Sequence, residues 1–87
     1  MKVYLTKDAD GIVKAFYGKR PKLNTNGIHG NFWEIPLSEW DDTCHFDIIS
    51  ETGAYYYSNV LLKLFGNVIK NLPTDKPTIF TLKAYGK

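Results

Sequence analysis

A tryptophan among carboxylates is the pattern with the clearest chemical potential in this sequence. Trp40 lies between Glu39 and Asp41, and Asp42 and Glu34 are close along the chain. An aromatic anchor with a charged rim is typical of protein-binding surfaces, where the ring supplies buried area and the carboxylates speed encounter with a basic partner. The alternative is a buried Trp40 beside a charged loop.

A second candidate site combines positive charge with aromatic rings. Its residues are Lys14, Phe16, Tyr17, Lys19, Arg20 and Lys22. Proteins that bind single-stranded nucleic acids use this combination, because cations follow the phosphates while rings stack on the bases. The alternative is a solvated hairpin whose cationic side chains discourage edge-to-edge aggregation. A net charge of +2 is low for a nucleic-acid-binding domain.

Consecutive tyrosines at residues 55–57 add amphipathic rings that suit recognition. We include Tyr55 and Tyr56 in the predicted protein-binding surface. Residues 54–57 are compatible with a strand or with the beginning of the helix that follows, and in either case at least one ring should point into the core.

Cysteine and histidine do not form the pattern of a metal or catalytic site. Cys44 and His45 are neighbours, so in a strand their side chains would project to opposite faces. Structural zinc normally takes four ligands, and a Cys–His hydrolase needs its thiolate beside its base. No phosphate-binding glycine motif is present. The sequence therefore predicts a non-enzymatic protein without metal or cofactor.

Charge is divided along the chain. No lysine or arginine occurs between residues 23 and 62, and this window holds six of the nine carboxylates. All eleven basic residues lie in the two flanks. Such a division predicts two faces of opposite potential, which favours charged macromolecules over a small apolar ligand as partners.

Alternating apolar and polar residues predict the strands that would position these sites. Residues 2–7 and 12–17 flank a turn and predict a hairpin. Further strands are expected at 31–35, 43–49 and 78–85, with a loop of about a dozen residues after Pro21. Ser38 is a candidate cap for a short helical turn that reaches Asp41 and Asp42.

Apolar residues at three- and four-residue spacing predict one amphipathic helix at about 58–72. Ser58 or Asn59 would cap its beginning and Pro73 would end it. Gly66 lies inside this helix, where it would permit close packing against the sheet. The order of elements predicts a single α+β domain over 1–87, with a mostly antiparallel sheet of four to five strands and the helix packed on one face.

Composition supports a folded domain. The 87 residues are 44% hydrophobic and 15% aromatic, which excludes a disordered chain. The single cysteine excludes an internal disulfide. The sequence has no signal-peptide pattern. It also has no apolar stretch as long as the roughly 20 residues that a membrane-spanning helix needs. We expect a soluble cytoplasmic protein, either a monomer or a homodimer paired through a strand with Phe80 and Leu82.

Several turn and strand motifs in the first 35 residues resemble those of a known group of small proteins. They are the opening Met1-Lys2-Val3-Tyr4-Leu5-Thr6-Lys7-Asp8, the Asp10-Gly11 turn, the stretch Phe16-Tyr17-Gly18-Lys19-Arg20-Pro21-Lys22, and Trp33 downstream. This part of the chain resembles small bacteriophage accessory proteins, which often begin with a lysine-tyrosine strand and carry a Gly-Lys-x-Pro stretch followed by a tryptophan. The resemblance implies a phage context, in which small proteins often act on a host protein. It implies no active site.

Two functions are therefore expected from the sequence. The first is a phage-type protein in the host cytoplasm that binds and inhibits or modulates a host protein through its acidic and aromatic surface. An immune nuclease, the kind of target bound by anti-CRISPR proteins, is one such host protein. The alternative is a small module that binds single-stranded nucleic acid with the basic hairpin end at residues 14–22.

Overall fold

In the part of the chain that the structure describes, the fold consists of two antiparallel sheets and one helix. The computed structural model describes residues 2–49 and 65–81. In chain order its elements are β1 (Lys2–Lys7), β2 (Val13–Tyr17), β3 (Lys22–Asn24), β4 (Phe32–Glu34), a 3₁₀ turn (Leu37–Glu39), β5 (His45–Ile49), helical residues 65–69 (α1) and β6 (Thr78–Thr81). Strands β5-β2-β1-β6 form the main sheet in that order, and β3 and β4 form the small sheet. The predicted α+β class is confirmed.

The hairpin of β1 and β2 is the centre of the main sheet. Val3 lies opposite Tyr17, and Lys7 lies opposite Val13. The turn between them is closed by the Asp8 backbone N–H, which donates to the Ile12 carbonyl at 2.9 Å. Gly11 has a φ of +91°, which glycine adopts without the steric cost that a side chain would bring. The predicted hairpin is confirmed.

The helix packs on one face of the main sheet, here called the helix face. Phe65, Ile69 and Leu72 are buried against strand residues that include the wholly buried Val3 and Leu5. The predicted periodicity is confirmed for Phe65 and Ile69. The helix ends at residue 69, three residues before its predicted end at residue 72, so Leu72 is buried from the turn that follows. Predicted helix residues 58–64, with the caps Ser58 and Asn59, lie outside the described residues.

The small sheet covers part of the opposite face of the main sheet, here called the groove face. Trp33 and Ile35 are buried there with Phe16, and Tyr4 and Cys44 pack against them. Since successive strand residues point to opposite sides, the main sheet buries residues on both.

Backbone and side-chain hydrogen bonds hold the small sheet in place. Trp33 donates its backbone N–H to Asp8 Oδ1 at 2.8 Å and its indole Nε1–H to the Thr74 carbonyl at 3.1 Å. Ala9 donates its N–H to the Asn31 carbonyl at 2.9 Å. These bonds connect β4 to the β1–β2 turn and to the segment before β6.

The sequence prediction missed β3. The expected long loop after Pro21 contains a three-residue strand, and the residues between the two strands of the small sheet are only 25–31. The predicted third strand is therefore paired outside the main sheet. The physical reason is long-range, because the Trp33 backbone N–H is taken by the Asp8 carboxylate rather than by a strand of the main sheet.

Two local expectations are wrong. Ser38 does not cap a turn, since the 3₁₀ turn begins after Pro36 without a side-chain hydrogen bond and the chain is extended again at Trp40. Gly66 does not permit close packing, because outside its own helix no atom of residues 2–49 and 65–81 lies within 4 Å of where its Cβ would be.

The ends of the predicted strands are partly described. β5 begins at His45, two residues later than expected, and β6 is described to Thr81. The remainder of the predicted last strand and the segment 54–57 lie outside the described residues. Within β6 the predicted alternation is confirmed, since Phe80 packs on the helix face and Ile79 is exposed.

Candidate functional site

Acidic and basic segments of the chain meet at one corner of the molecule. Lys19 donates from Nζ to the Glu39 carbonyl at 2.8 Å and lies 3.5 Å from Asp41 Oδ2. Lys22 Nζ lies 2.7 Å from the Glu39 carboxylate. The basic flank therefore neutralises part of the acidic middle, and the prediction of two faces of opposite potential is wrong at this corner.

Gly18 brings the two segments together. It follows β2 with a φ of +86°, and a Cβ at this position would overlap the Thr43 carbonyl. The backbone after β2 can approach residues 41–43 this closely only because glycine has no side chain. Lys19 is thereby placed within reach of Asp41.

Asp41 organises the acidic segment through hydrogen bonds to Thr43. Its Oδ1 accepts the Thr43 hydroxyl at 2.6 Å and the Thr43 backbone N–H at 2.8 Å. These two bonds, the hydroxyl first, stabilise the carboxylate and hold the pKa of Asp41 at about 2. Asp41 therefore has a local structural role, in addition to any role in steering a partner.

Trp40 lies at the surface but is held in place. Its Nε1–H donates to the Ile35 carbonyl at 2.6 Å. Its ring meets the Phe46 ring edge-on, with centroids 5.9 Å apart and an interplanar angle of 69°. Even so, 51% of Trp40 and 43% of Phe46 remain exposed. The predicted anchor is thus neither a core residue nor a mobile surface ring.

An apolar groove of about 210 Å³ lies beside Trp40. It is lined by Lys14, Phe16, Phe32, Trp33, Glu34, Ile35, Trp40 and Phe46. Exposed Ile48 lies two residues beyond Phe46 on the same face of β5. Rigid aromatic rings around a concave apolar surface are the composition of a binding hot spot.

Two charged side chains line this groove, and their surroundings differ. Lys14 Nζ lies 3.0 Å from Asp8 Oδ2, donates to the Trp33 carbonyl at 2.9 Å and is 5.3 Å from the centroid of the Phe32 ring. Its charge is therefore balanced within the protein. Glu34 accepts one hydrogen bond from the neutral Asn24 amide at 2.8 Å, which leaves its negative charge uncompensated in the described contacts.

The basic residues of the alternative site do not form one surface. Lys14, Lys19 and Lys22 are each paired with a carboxylate. Tyr17 packs on the helix face, on the opposite side of the sheet from Lys14. Arg20 is exposed, with its guanidinium 5.9 Å from the centroid of the Tyr4 ring.

Phe16, the remaining ring of the alternative site, is 2% exposed and cannot stack on a base. The expected combination of cations and stacking rings on one surface is therefore not assembled. The three lysines instead form separate ion pairs with carboxylates of the same chain.

A larger cleft of about 440 Å³ lies between the turn at residues 8–12 and the loop at 26–31, and it shares Lys14 and Phe32 with the groove beside Trp40. Its charged groups include Asp8 and Lys14, which pair with each other. Ile28 at its rim is 96% exposed. The exposed Asp10 also lines this cleft, and its Oδ1 accepts the Ile12 backbone N–H at 3.1 Å.

The remaining predicted site residues are placed as follows. Glu34 and Glu39 are half-buried, and Asp42 is exposed. Tyr55 and Tyr56 lie outside the described residues. Across residues 2–49 and 65–81, no group of three or more His, Cys, Asp or Glu side chains is arranged to hold a metal ion. In the same ranges no helix has the length and apolar character needed to cross a membrane.

The predicted protein-binding surface does not include Phe46, Ile35 or Trp33, which line the groove together with Trp40. Phe46 was detectable, because the alternation in β5 places it on one face with Ile48. The sequence places Ile35 and Trp33 in a predicted strand, and Trp33 also in the resemblance to phage proteins, without linking either residue to Trp40. Their position under Trp40 depends on the packing of the small sheet, for which the sequence carries no local signal.

Comparisons with known proteins give no match. A scan against models of protein families finds no matching family, and neither the curated proteins nor the solved structures include one that matches. Function must therefore be argued from the site itself.

Proposed function

We propose that this chain is a non-enzymatic binding protein that engages another protein through the groove beside Trp40. The observation that supports this most is the half-exposed Trp40, fixed by its hydrogen bond to Ile35 and its edge contact with Phe46. A ring held in one orientation loses little conformational entropy on binding, so its burial contributes more to affinity.

The charges favour a protein partner over a nucleic acid. The lysines of the hairpin end are occupied by Asp8, Glu39 and Asp41, so they release few counterions on meeting phosphates. Single-stranded nucleic-acid binding through Arg20 and its neighbours remains the alternative. This alternative predicts that material bound to the chain in a pull-down is released at moderate salt.

The resemblance to phage accessory proteins supplies the biological context of the proposal. In that context the partner is a host protein in the bacterial cytoplasm, such as an immune nuclease, and binding inhibits or modulates it. The exposed Asp42 and the half-buried Glu34 would steer the complex towards a basic surface on the partner.

A pull-down from bacterial lysate tests the proposal, with nuclease treatment and at low and moderate salt. We expect a host protein that the wild-type chain retains and Trp40→Ala loses. The variant should remain folded and lose about 1–2 kcal/mol of stability, because the ring is already half in water.

Ile79→Ala is the matched control for this experiment, because Ile79 is exposed on the groove face but on β6, three strands from β5. It should retain the partner. A partner retained equally by Trp40→Ala would contradict the proposal, and recovery that disappears with nuclease would favour the nucleic-acid alternative.

A further inference from the structure

We infer that the groove beside Trp40 receives an arginine side chain of the partner protein. The inference rests on the proposed function, because it names the chemistry that this same surface recognises. It is carried by three properties of the groove: its size, its single uncompensated charge and its aromatic walls.

The size of the groove suits one side chain. Its volume of about 210 Å³ is below the about 300–1,000 Å³ of pockets that enclose a whole small ligand. It is partly open to solvent, and the half-exposed Trp40 and Phe46 are among the residues that line it. A segment of protein could therefore lie across it and insert one residue.

The charge of the groove suits a cation. Lys14 is balanced by Asp8 at 3.0 Å and also donates to the Trp33 carbonyl, so it presents little positive charge to a ligand. Glu34 lies opposite Lys22 in the small sheet, but the Lys22 ammonium binds the Glu39 carboxylate instead. Among the described contacts Glu34 accepts only from the neutral Asn24 amide, so no cation pairs with it there. A ligand with a positive group would pair with Glu34, whereas an acidic one would be repelled.

The aromatic walls favour arginine over lysine. A guanidinium is planar and weakly hydrated, and it stacks on aromatic rings while it donates two parallel hydrogen bonds to one carboxylate. Trp40, Phe46 and Glu34 line the same groove. The exposed parts of the two rings offer a surface for stacking, and the Glu34 carboxylate offers an acceptor for the paired hydrogen bonds. A lysine ammonium is more strongly hydrated and cannot make the paired hydrogen bonds.

Capped five-residue peptides test this inference directly on the full chain. One carries a central arginine between glycines, and two matched peptides carry lysine or the neutral isostere citrulline. Binding at millimolar concentration is followed by the NMR shifts of the Trp40 indole N–H and the Phe46 ring. We expect saturating shifts with the arginine peptide and an affinity at least about ten-fold weaker for the other two.

Charge-neutral variants complete the experiment. Glu34→Gln can still accept from Asn24, so it should remain folded while its affinity for the arginine peptide falls about ten-fold. Asp75→Asn removes the same charge from an exposed site distant in sequence from the groove and should bind as the wild type does.

The outcomes separate this inference from the function on which it rests. Equal binding of the arginine and citrulline peptides, or of the arginine and lysine peptides, would overturn it. No binding of any peptide would also overturn it, even if Trp40→Ala still loses the captured protein. A Trp40→Ala variant that keeps its partner would instead remove the proposed function.

Discussion

Individual side chains show how tightly this small fold is constrained. Thr6 is wholly buried on the groove face, and its hydroxyl is the one buried side-chain N or O atom without a hydrogen-bond partner among the described residues. Burying such a hydroxyl costs about 1–3 kcal/mol.

Thr6→Val should therefore stabilise the protein by about 1 kcal/mol, since valine has nearly the same shape without the polar atom. Urea denaturation would measure the free energy of unfolding. Thr25→Val, at an exposed position, is the control and should change little. A loss of stability in Thr6→Val would mean that the hydroxyl makes a hydrogen bond through a bound water.

Asp41 gives a prediction about pH. Its folded-state pKa of about 2 lies below the unfolded value of 3.8, because Thr43 donates two hydrogen bonds to the ionised form. The ionised carboxylate therefore stabilises the folded chain fully above pH 3.8, and this contribution is lost as the pH falls towards 2.

Removing the strongest donor should raise the pKa of Asp41 towards 3.8 in Thr43→Val, while the backbone N–H bond keeps part of the shift. Carbon-13 NMR of the carboxyl group would follow the titration. If the midpoint stays near that of the wild type, the hydroxyl does not donate to Asp41 in solution.

At the scale of elements, the stability of α1 is lowered by a glycine within the helix. Gly66 lies within helical residues 65–69, and among the described residues nothing outside this helix lies within 4 Å of the position of its Cβ. Alanine is favoured over glycine inside a helix by about 1 kcal/mol because it restricts the unfolded backbone.

We therefore expect Gly66→Ala to raise the free energy of unfolding by up to about 1 kcal/mol, measured by thermal or urea denaturation. Gly18→Ala is the informative contrast, because its Cβ would overlap Thr43 at a positive φ and should destabilise the protein. A destabilising Gly66→Ala would show that helix and sheet approach more closely at this residue than the structure indicates.

At the scale of the molecule, the ion pair between the buried Asp8 and the half-buried Lys14 connects the layers. Asp8 and Lys14 have side chains only 4% and 16% exposed, and both bond to the backbone of Trp33. The pair therefore connects the β1–β2 hairpin to the small sheet. Breaking a buried pair is costly because the remaining charge is left without compensation.

Asp8→Asn and Lys14→Met should each lower the free energy of unfolding by about 3 kcal/mol, and the double variant should lose less than the sum. Urea denaturation of the four proteins gives the coupling energy. Asp10→Asn removes an exposed charge from the same turn and serves as the control. Strict additivity would mean that the two charges do not stabilise each other.

Sequence reasoning succeeded where the signal is local. The β1–β2 hairpin follows from alternation around a Gly11 turn, and the buried spacing of Phe65, Ile69 and Leu72 follows from helical periodicity. Trp40 could be selected as a candidate by its neighbours alone. These patterns depend on residues within a few positions of one another.

Sequence reasoning failed where the decisive contact is distant. Asp8 looks like an ordinary turn residue in the sequence, yet its carboxylate binds Trp33 and Lys14 and holds β4 beside the β1–β2 turn, outside the main sheet. The sequence likewise predicts a nucleic-acid surface for Lys14, because its pairing with Asp8 depends on the folded structure. Its partner could not be identified before the small sheet was placed.

The two tryptophans lie in contrasting environments, and this has a spectroscopic consequence. Trp33 is 6% exposed and Trp40 is 51% exposed. Fluorescence from Trp33 should be blue-shifted and protected from an aqueous quencher such as iodide, whereas Trp40 should emit further to the red and be quenched readily. The chain thus contains its own pair of optical reporters, one for the integrity of the interior and one for events at the groove.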